Sequence, residues 1–159
     1  MKKLILLTCA VFILTACSSK IEGQTAENQS EFLKPEVAKT TKSVTINDHT
    51  WTVETVSTPE ALEQGLSNRE SLPADNGMYF VFDDLTERTF WMKNMKFPLD
   101  IIFIKDDEIV TVSYDAMPEG SDPQNFYYSK EPVNRVLEIN NGDAMKYNLK
   151  AGDKVKFND

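Results

Sequence analysis

The sequence predicts a mostly-β domain with one or two short helices, and three observations lead there. Between Val44 and Phe157 the apolar residues come in short alternating or continuous runs of strand length. Clusters such as Asn47-Asp48-His49, Asp83-Asp84, Lys105-Asp106-Asp107-Glu108 and Asn140-Asn141-Gly142-Asp143 separate those runs with turn chemistry. One stretch, Thr58-Pro59-Glu60, carries a helix start: Thr58 as N-cap, Pro59 at the first helical position, and carboxylates Glu60 and Glu63 in the early turns.

Val44 and Ile46 alternate with polar residues, and Trp51, Val53 and Thr55 resume the alternation after the turn, so the first element is a hairpin. His49, the only histidine, falls at its tip and reads as turn filler, neither base nor ligand. Ala61, Leu62 and Leu66 give the helix an apolar face, Gly65 ends it, and residues 68–77 form a long irregular loop. Met78-Tyr79-Phe80-Val81-Phe82 is apolar on both faces and reads as a central strand.

Residues 88–104 form the densest apolar run of the mature chain and read as a buried hairpin. Period-2 alternation sets Phe90 and Met92 on one face and Trp91 and Lys93 on the other. If residues 95–98 form a four-residue loop, Lys93 falls opposite Asp100, a pairing that one step of register destroys. Ile109, Val110 and Val112 lie on the returning strand, 115–124 is the longest loop, and Phe126-Tyr127-Tyr128 follows it. Val133 to Ile139 is a strand with Leu137 and Ile139 on one face and Val136 and Glu138 on the other. A short helix through Tyr147 and a last strand, Lys154 to Phe157, complete the domain.

Composition narrows the chemistry. Hydrophobic content of 41% with 26% charged residues is that of an ordinary globular chain. Both cysteines, Cys9 and Cys17, precede the folded part, which therefore has no thiol for redox work or metal ligation. With a single histidine, a zinc site or a histidine-based triad has no parts, and the acids at 106–108 fail the calcium-loop spacing, so no metal and no cofactor is expected. The net charge of −8, which becomes −10 once Lys2 and Lys3 leave with a leader, repels polyanions and argues against nucleic acid as a partner.

Met1-Lys2-Lys3 followed by the apolar run Leu4 to Ala16 has the form of a signal peptide, too short to span a bilayer. It closes with Leu14-Thr15-Ala16-Cys17, which resembles the lipobox of bacterial lipoproteins and implies acylation of Cys17. The expected organisation is a signal peptide at 1–16, lipidated Cys17 with a disordered tether to residue 42, and one domain at 43–159. The expected address is the extracytoplasmic face of a bacterial membrane, held there by the acylated Cys17.

Several motifs carry a further resemblance: Gln64 to Arg69 with Leu72-Pro73, Gly77 to Phe82, Phe90 to Asn94, Pro98 to Ile104, Val136 to Ile139 and Gly152-Asp153. In order and spacing they resemble the bacterial and archaeal family called domain of unknown function 192, over about residues 44 to 157. Ser67 stands where the family usually has Met, and Asn141-Gly142-Asp143 is more polar than its usual counterpart. The resemblance implies an antiparallel β-sandwich with jelly-roll character. It brings no established activity and assigns no role to its motif residues Arg69, Trp91, Lys93, Asp100 and Glu138.

Three functional readings remain open. The favoured one is a non-catalytic, ligand- or partner-binding envelope module: Trp91 with Tyr114, Tyr127 and Tyr128 offers flat faces to a glycan or peptide, Arg69 and Lys93 orient an anionic group, and Asp100 and Glu138 complete the set. Exposure of the aromatics together distinguishes such a platform from core packing. The runner-up is a carboxylate-dependent hydrolase of envelope polysaccharide with Asp100 and Glu138 as its catalytic pair, which requires the two carboxyls to flank one glycosidic bond. The third is purely structural, Arg69 and Lys93 neutralising Asp100 and Glu138 to fix the register.

Overall fold

The computed structural model describes residues 42–158, within which nine strands and two short helices form. The leader, Cys17 and the tether up to residue 41 lie outside the described residues. In β1 (Ser43–Ile46) and β2 (His49–Val56), Val44, Ile46, Trp51 and Val53 are buried between more exposed neighbours, as strand alternation requires. Asn47 at φ 52° makes the tight turn, which leaves Ile46 paired with His49. His49 is therefore not turn filler: it opens β2, stacked on Tyr147 at 3.7 Å between ring centroids and edge-on to Trp51.

The helix signature is realised in α1 (Pro59–Gln64), where Thr58 Oγ1 accepts from the Ala61 N–H at 3.3 Å. Gly65 ends the helix at φ 49°, ψ −133°, and Leu66 just beyond it is buried. The remaining elements are β3 (Asn76–Thr86), β4 (Thr89–Trp91), β5 (Leu99–Lys105), β6 (Glu108–Ala116), β7 (Phe126–Tyr128), β8 (Val133–Asn140), α2 (Asp143–Lys146) and β9 (Val155–Asn158).

Seven strands share one sheet in the order β6-β5-β8-β3-β2-β1-β9, and β4 pairs with β7 in a separate two-stranded sheet. The architecture is mostly β and sandwich-like, as expected. Its large sheet is mixed because β2 and β3 run parallel, with α1 and the following loop supplying the long crossover such a pair needs. The sheet curls until its edges meet: Ile109 N–H donates to Asp153 O at 3.0 Å and Val155 N–H to Asp107 O at 2.8 Å.

Each face of the sheet carries its own core. Within the curl lie Trp51, Tyr79, Ile102, Ile104, Leu137 and Ile139. Met78, Phe80, Ile101, Phe103 and Val136 face the other way, covered by Leu66, Met92 and Met95 and by the inner face of the β4–β7 ribbon, Phe90 and Tyr127. Burial on both faces explains why β3 and β5 read as continuous apolar runs.

The expected hairpin across residues 88–104 does not form. Both edges of β5 are taken, one by β6 and the other by β8, so none is left for β4, which pairs with β7 instead. Asn94 at φ 56° and its N–H donating to Gly120 O turn the chain away before β5 begins. The Lys93 backbone consequently forms an isolated parallel β-bridge with that of Glu119, and Lys93 does not meet Asp100.

Candidate functional site

The register of β8 against β5 separates the two buried carboxyls. Asp100 lies opposite Ile139, and Glu138 lies opposite Ile101. Directly opposed residues share a face, so Asp100 points with Ile102 and Ile139 into the curl, while Glu138 points with Ile101 and Val136 to the other core. Carboxyls on opposite sides of a sheet cannot flank one glycosidic bond, and the paired catalytic arrangement of Asp100 and Glu138 is absent.

Asp100, fully buried, accepts from the backbone N–H of Ala144 at 2.9 Å and of Asp115 at 3.1 Å. It thereby satisfies the start of α2, whose own N-cap Gly142 has no side chain to do so, and the irregular stretch of β6 where Asp115 sits at φ 54°. Burial raises its pKa above the usual carboxylate value, against the opposing pull of these N–H groups. Asp100 is a fastening between strand, bulge and helix.

Glu138 has a different setting. It is 5% exposed, lies between Met78 of β3 and Ile101 of β5, and among the described residues no hydrogen-bond or ion-pair partner meets its carboxyl. Burial pushes its pKa up to about 8, an effect the nearby Arg69 charge only partly offsets. Above it opens a cleft of about 360 Å³ between the α1–Ser67 segment and residues 87–91, with Phe80, Phe90, Leu66 and Met95 among its walls. Trp91 lines this cleft and an adjoining recess of about 300 Å³ that also holds Lys93 and Asn94.

Gly65 forms part of the cleft wall. A Cβ there would stand 3.3 Å from Phe80 Cζ and 4.0 Å from Glu138 Oε2, on a backbone with positive φ. Gly65→Ala is expected to destabilise the domain by about 1–3 kcal/mol through backbone strain, readable as a lower urea midpoint at unchanged slope.

The expected neutralising network is not formed. Both terminal nitrogens of Arg69 are engaged by Glu54 of β2, at 2.8 and 2.9 Å, so Arg69 acts on Glu138 only through space. Lys93 stands over the Trp91 ring at 5.9 Å and reaches neither Asp100 nor Glu138. Among the described residues no cluster of His, Cys, Asp and Glu able to hold a metal ion occurs.

Exposed aromatic side chains do share one face of the ribbon, though not all of those expected. Pairing of Trp91 with Phe126 and of Thr89 with Tyr128 puts Trp91, Phe126 and Tyr128 on the outer face of the ribbon, 41%, 43% and 55% exposed. Tyr127 turns inward to the core, and Tyr114 lies on β6 with its hydroxyl donating to Leu149 O at 2.8 Å. Phe126 was not among the sequence candidates, although alternation along Phe126-Tyr127-Tyr128 carries the signal that separates its two faces.

Fold and site thus define a mostly-β, sandwich-like domain with one of its buried carboxyls, Glu138, beneath an aromatic-rimmed cleft. The chain belongs to the domain of unknown function 192 family, DUF192, described as uncharacterized ACR, whose profile matches residues 41–157. A solved protein of unknown function from Novosphingobium aromaticivorans is 34% identical, with a TM-score of 0.66 over 72% of this chain and 83% of its own. A candidate transcription regulator from Sinorhizobium meliloti is also 34% identical, with a TM-score of 0.68 over 73% of this chain and 93% of its own. No curated protein matches.

Proposed function

We propose that the chain is a lipid-anchored extracytoplasmic binding module whose cleft over Glu138 receives a component of the cell envelope. The observation that carries this reading is the carboxyl of Glu138, 5% exposed and without a hydrogen-bond or ion-pair partner among the described residues, lining a cleft of about 360 Å³. A buried ionisable group that is neither paired nor hydrogen-bonded lowers stability, and an apolar residue of similar volume is the stabilising choice at such a position. A binding role gives that cost a purpose, and the cleft falls within the size range of small-molecule sites. The adjoining outer face of Trp91, Phe126 and Tyr128 supplies flat aromatic surface for a glycan or peptide.

Anchoring rests on the leader and lipobox ending at Cys17. The transcription role named for the Sinorhizobium protein is not carried over, because a net charge of −8 gives no basic footprint for nucleic acid. Hydrolysis by paired carboxylates loses its support with Asp100 and Glu138 on opposite faces.

Two experiments test the proposal. In cell fractionation, Cys17→Ser is expected to move the protein from membrane to soluble fractions, and continued membrane retention contradicts the anchor. Titration of the full chain in a non-ionic detergent with muropeptides and envelope glycan oligomers is expected to change tryptophan emission. Of the two tryptophans Trp51 is fully buried, so the change reports Trp91. A response that survives Trp91→Phe, or no response to any envelope fragment, argues against the cleft as the binding site.

A further inference from the structure

We propose that the cleft recognises an organic cation, a primary ammonium on a short apolar stem, with its charged end against the Glu138 carboxylate. This deepens the binding reading above and rests on it. The carboxyl is the cleft's buried polar anchor, and its oxygens have no partner among the described residues, leaving acceptor sites for N–H donors. Phe80, Phe90, Leu66 and Met95 give the walls an apolar character that suits a hydrocarbon stem.

Charge in the surroundings decides between a cation and an anion. Arg69, which does not line the cleft, is held by Glu54 through both terminal nitrogens. Arg88 is paired with Asp84 and stacked 3.9 Å from the centre of the Phe82 ring. Glu63, Glu87 and Arg88 join Glu138 in lining the cleft, three carboxyls against one guanidinium, whereas Lys93 belongs to the adjoining recess. A carboxylate or phosphate entering here would face three acidic side chains against one guanidinium, Arg88, which holds Asp84 through a terminal nitrogen and whose buried Nε has no partner among the described residues. An ammonium faces the reverse balance, an excess of carboxyls over guanidinium in the lining.

Proton balance gives the proposal a signature. In the free protein the carboxyl titrates at about 8, so below that pH an ammonium displaces the carboxyl's proton and binding releases it. Affinity is therefore expected to rise roughly tenfold per pH unit up to about 8, then level off until the amine itself loses its proton at roughly pH 10. The other charged groups around Glu138 are Arg69 with Glu54, the latter two strands across on the same sheet face, Glu63 on α1, and Glu87 and Arg88 beside β4.

The test uses three probes of one shape: cyclohexylmethylammonium, cyclohexylmethanol and cyclohexanecarboxylate. Each is titrated calorimetrically into the full chain in a non-ionic detergent, in buffers of differing ionisation enthalpy. The expected result is ammonium binding roughly tenfold or more tighter than the alcohol, no detectable carboxylate binding, proton release at pH 7, and loss of the ammonium preference in Glu138→Gln. Equal or tighter binding of the alcohol or the carboxylate overturns the ligand class while leaving the cleft a binding site. Binding of none of the three also overturns it, and the envelope-fragment titration then judges the cleft separately. Ammonium binding unchanged in Glu138→Gln overturns it as well.

Discussion

Glu138→Gln is expected to make the domain more stable, by about 3 kcal/mol at pH 7. The carboxyl titrates near the ordinary glutamate value of 4.5 when unfolded and at about 8 when buried in the fold. A raised folded pKa means that the native state binds the proton more tightly. The contribution is complete below pH 4.5 and is lost as pH rises from there to about 8. Glutamine keeps the shape of the neutral acid without its titration, so the two proteins should be equally stable near pH 4. The gap should widen to about 5 kcal/mol above pH 8. Urea unfolding at several pH values, followed through buried Trp51, measures it. A Glu138→Gln protein less stable than its parent at pH 8 would show that the carboxylate is held by partners the fold requires.

Asp100→Ala is expected to act in the opposite direction, with a loss of about 3–5 kcal/mol. The carboxylate receives the N–H groups of Ala144 and Asp115, and its removal leaves the first without its acceptor at a buried position and the second at a half-buried one. Each stranded donor costs about 1–3 kcal/mol, which outweighs the relief of no longer burying a charge whose pKa is raised. Asp100→Asn keeps one acceptor oxygen and should fall between Ala and the parent. Because α2 is only four residues long and its N-cap Gly142 offers no side chain, helical signal should be lost together with stability. A change below about 1 kcal/mol contradicts the fastening role.

The sequence made local structure legible and long-range pairing illegible. The Thr58–Gly65 helix could be read because its cap, its proline and its glycine act within a single turn or two. The central position of β3 could be read because burial on both faces removes polar alternation. The partner of β4 could not, because β7 is an equally short aromatic segment some 35 residues on, and local pattern carries no information about which edges of β5 are already occupied. The parallel β2–β3 pair was hidden for the same reason: a strand's pattern records which faces are buried, not the direction of its neighbour.

The candidate site shows the same division. Asp100 and Glu138 stood out as charges within apolar strands, and both proved buried. Their placement on opposite faces depends on the stagger of β5 against β8, which neither strand encodes alone. Arg69 was visible as a motif residue, but its partner Glu54 is an ordinary outward position of β2. Gly65, legible as a helix stop, also shapes the cleft because its missing side chain leaves room beside Phe80 and Glu138. Only the folded chain brings these two consequences of one glycine together.

The central claim, that Glu138 is a carboxyl unpartnered among the described residues and kept beneath a binding cleft, is tested most directly by carboxyl carbon-13 NMR titration of that residue, assigned by comparison with Glu138→Gln. The account expects a midpoint of about 8 in the free protein, moving down when cyclohexylmethylammonium is added. A midpoint near the ordinary 4.5, unmoved by the amine, would contradict it.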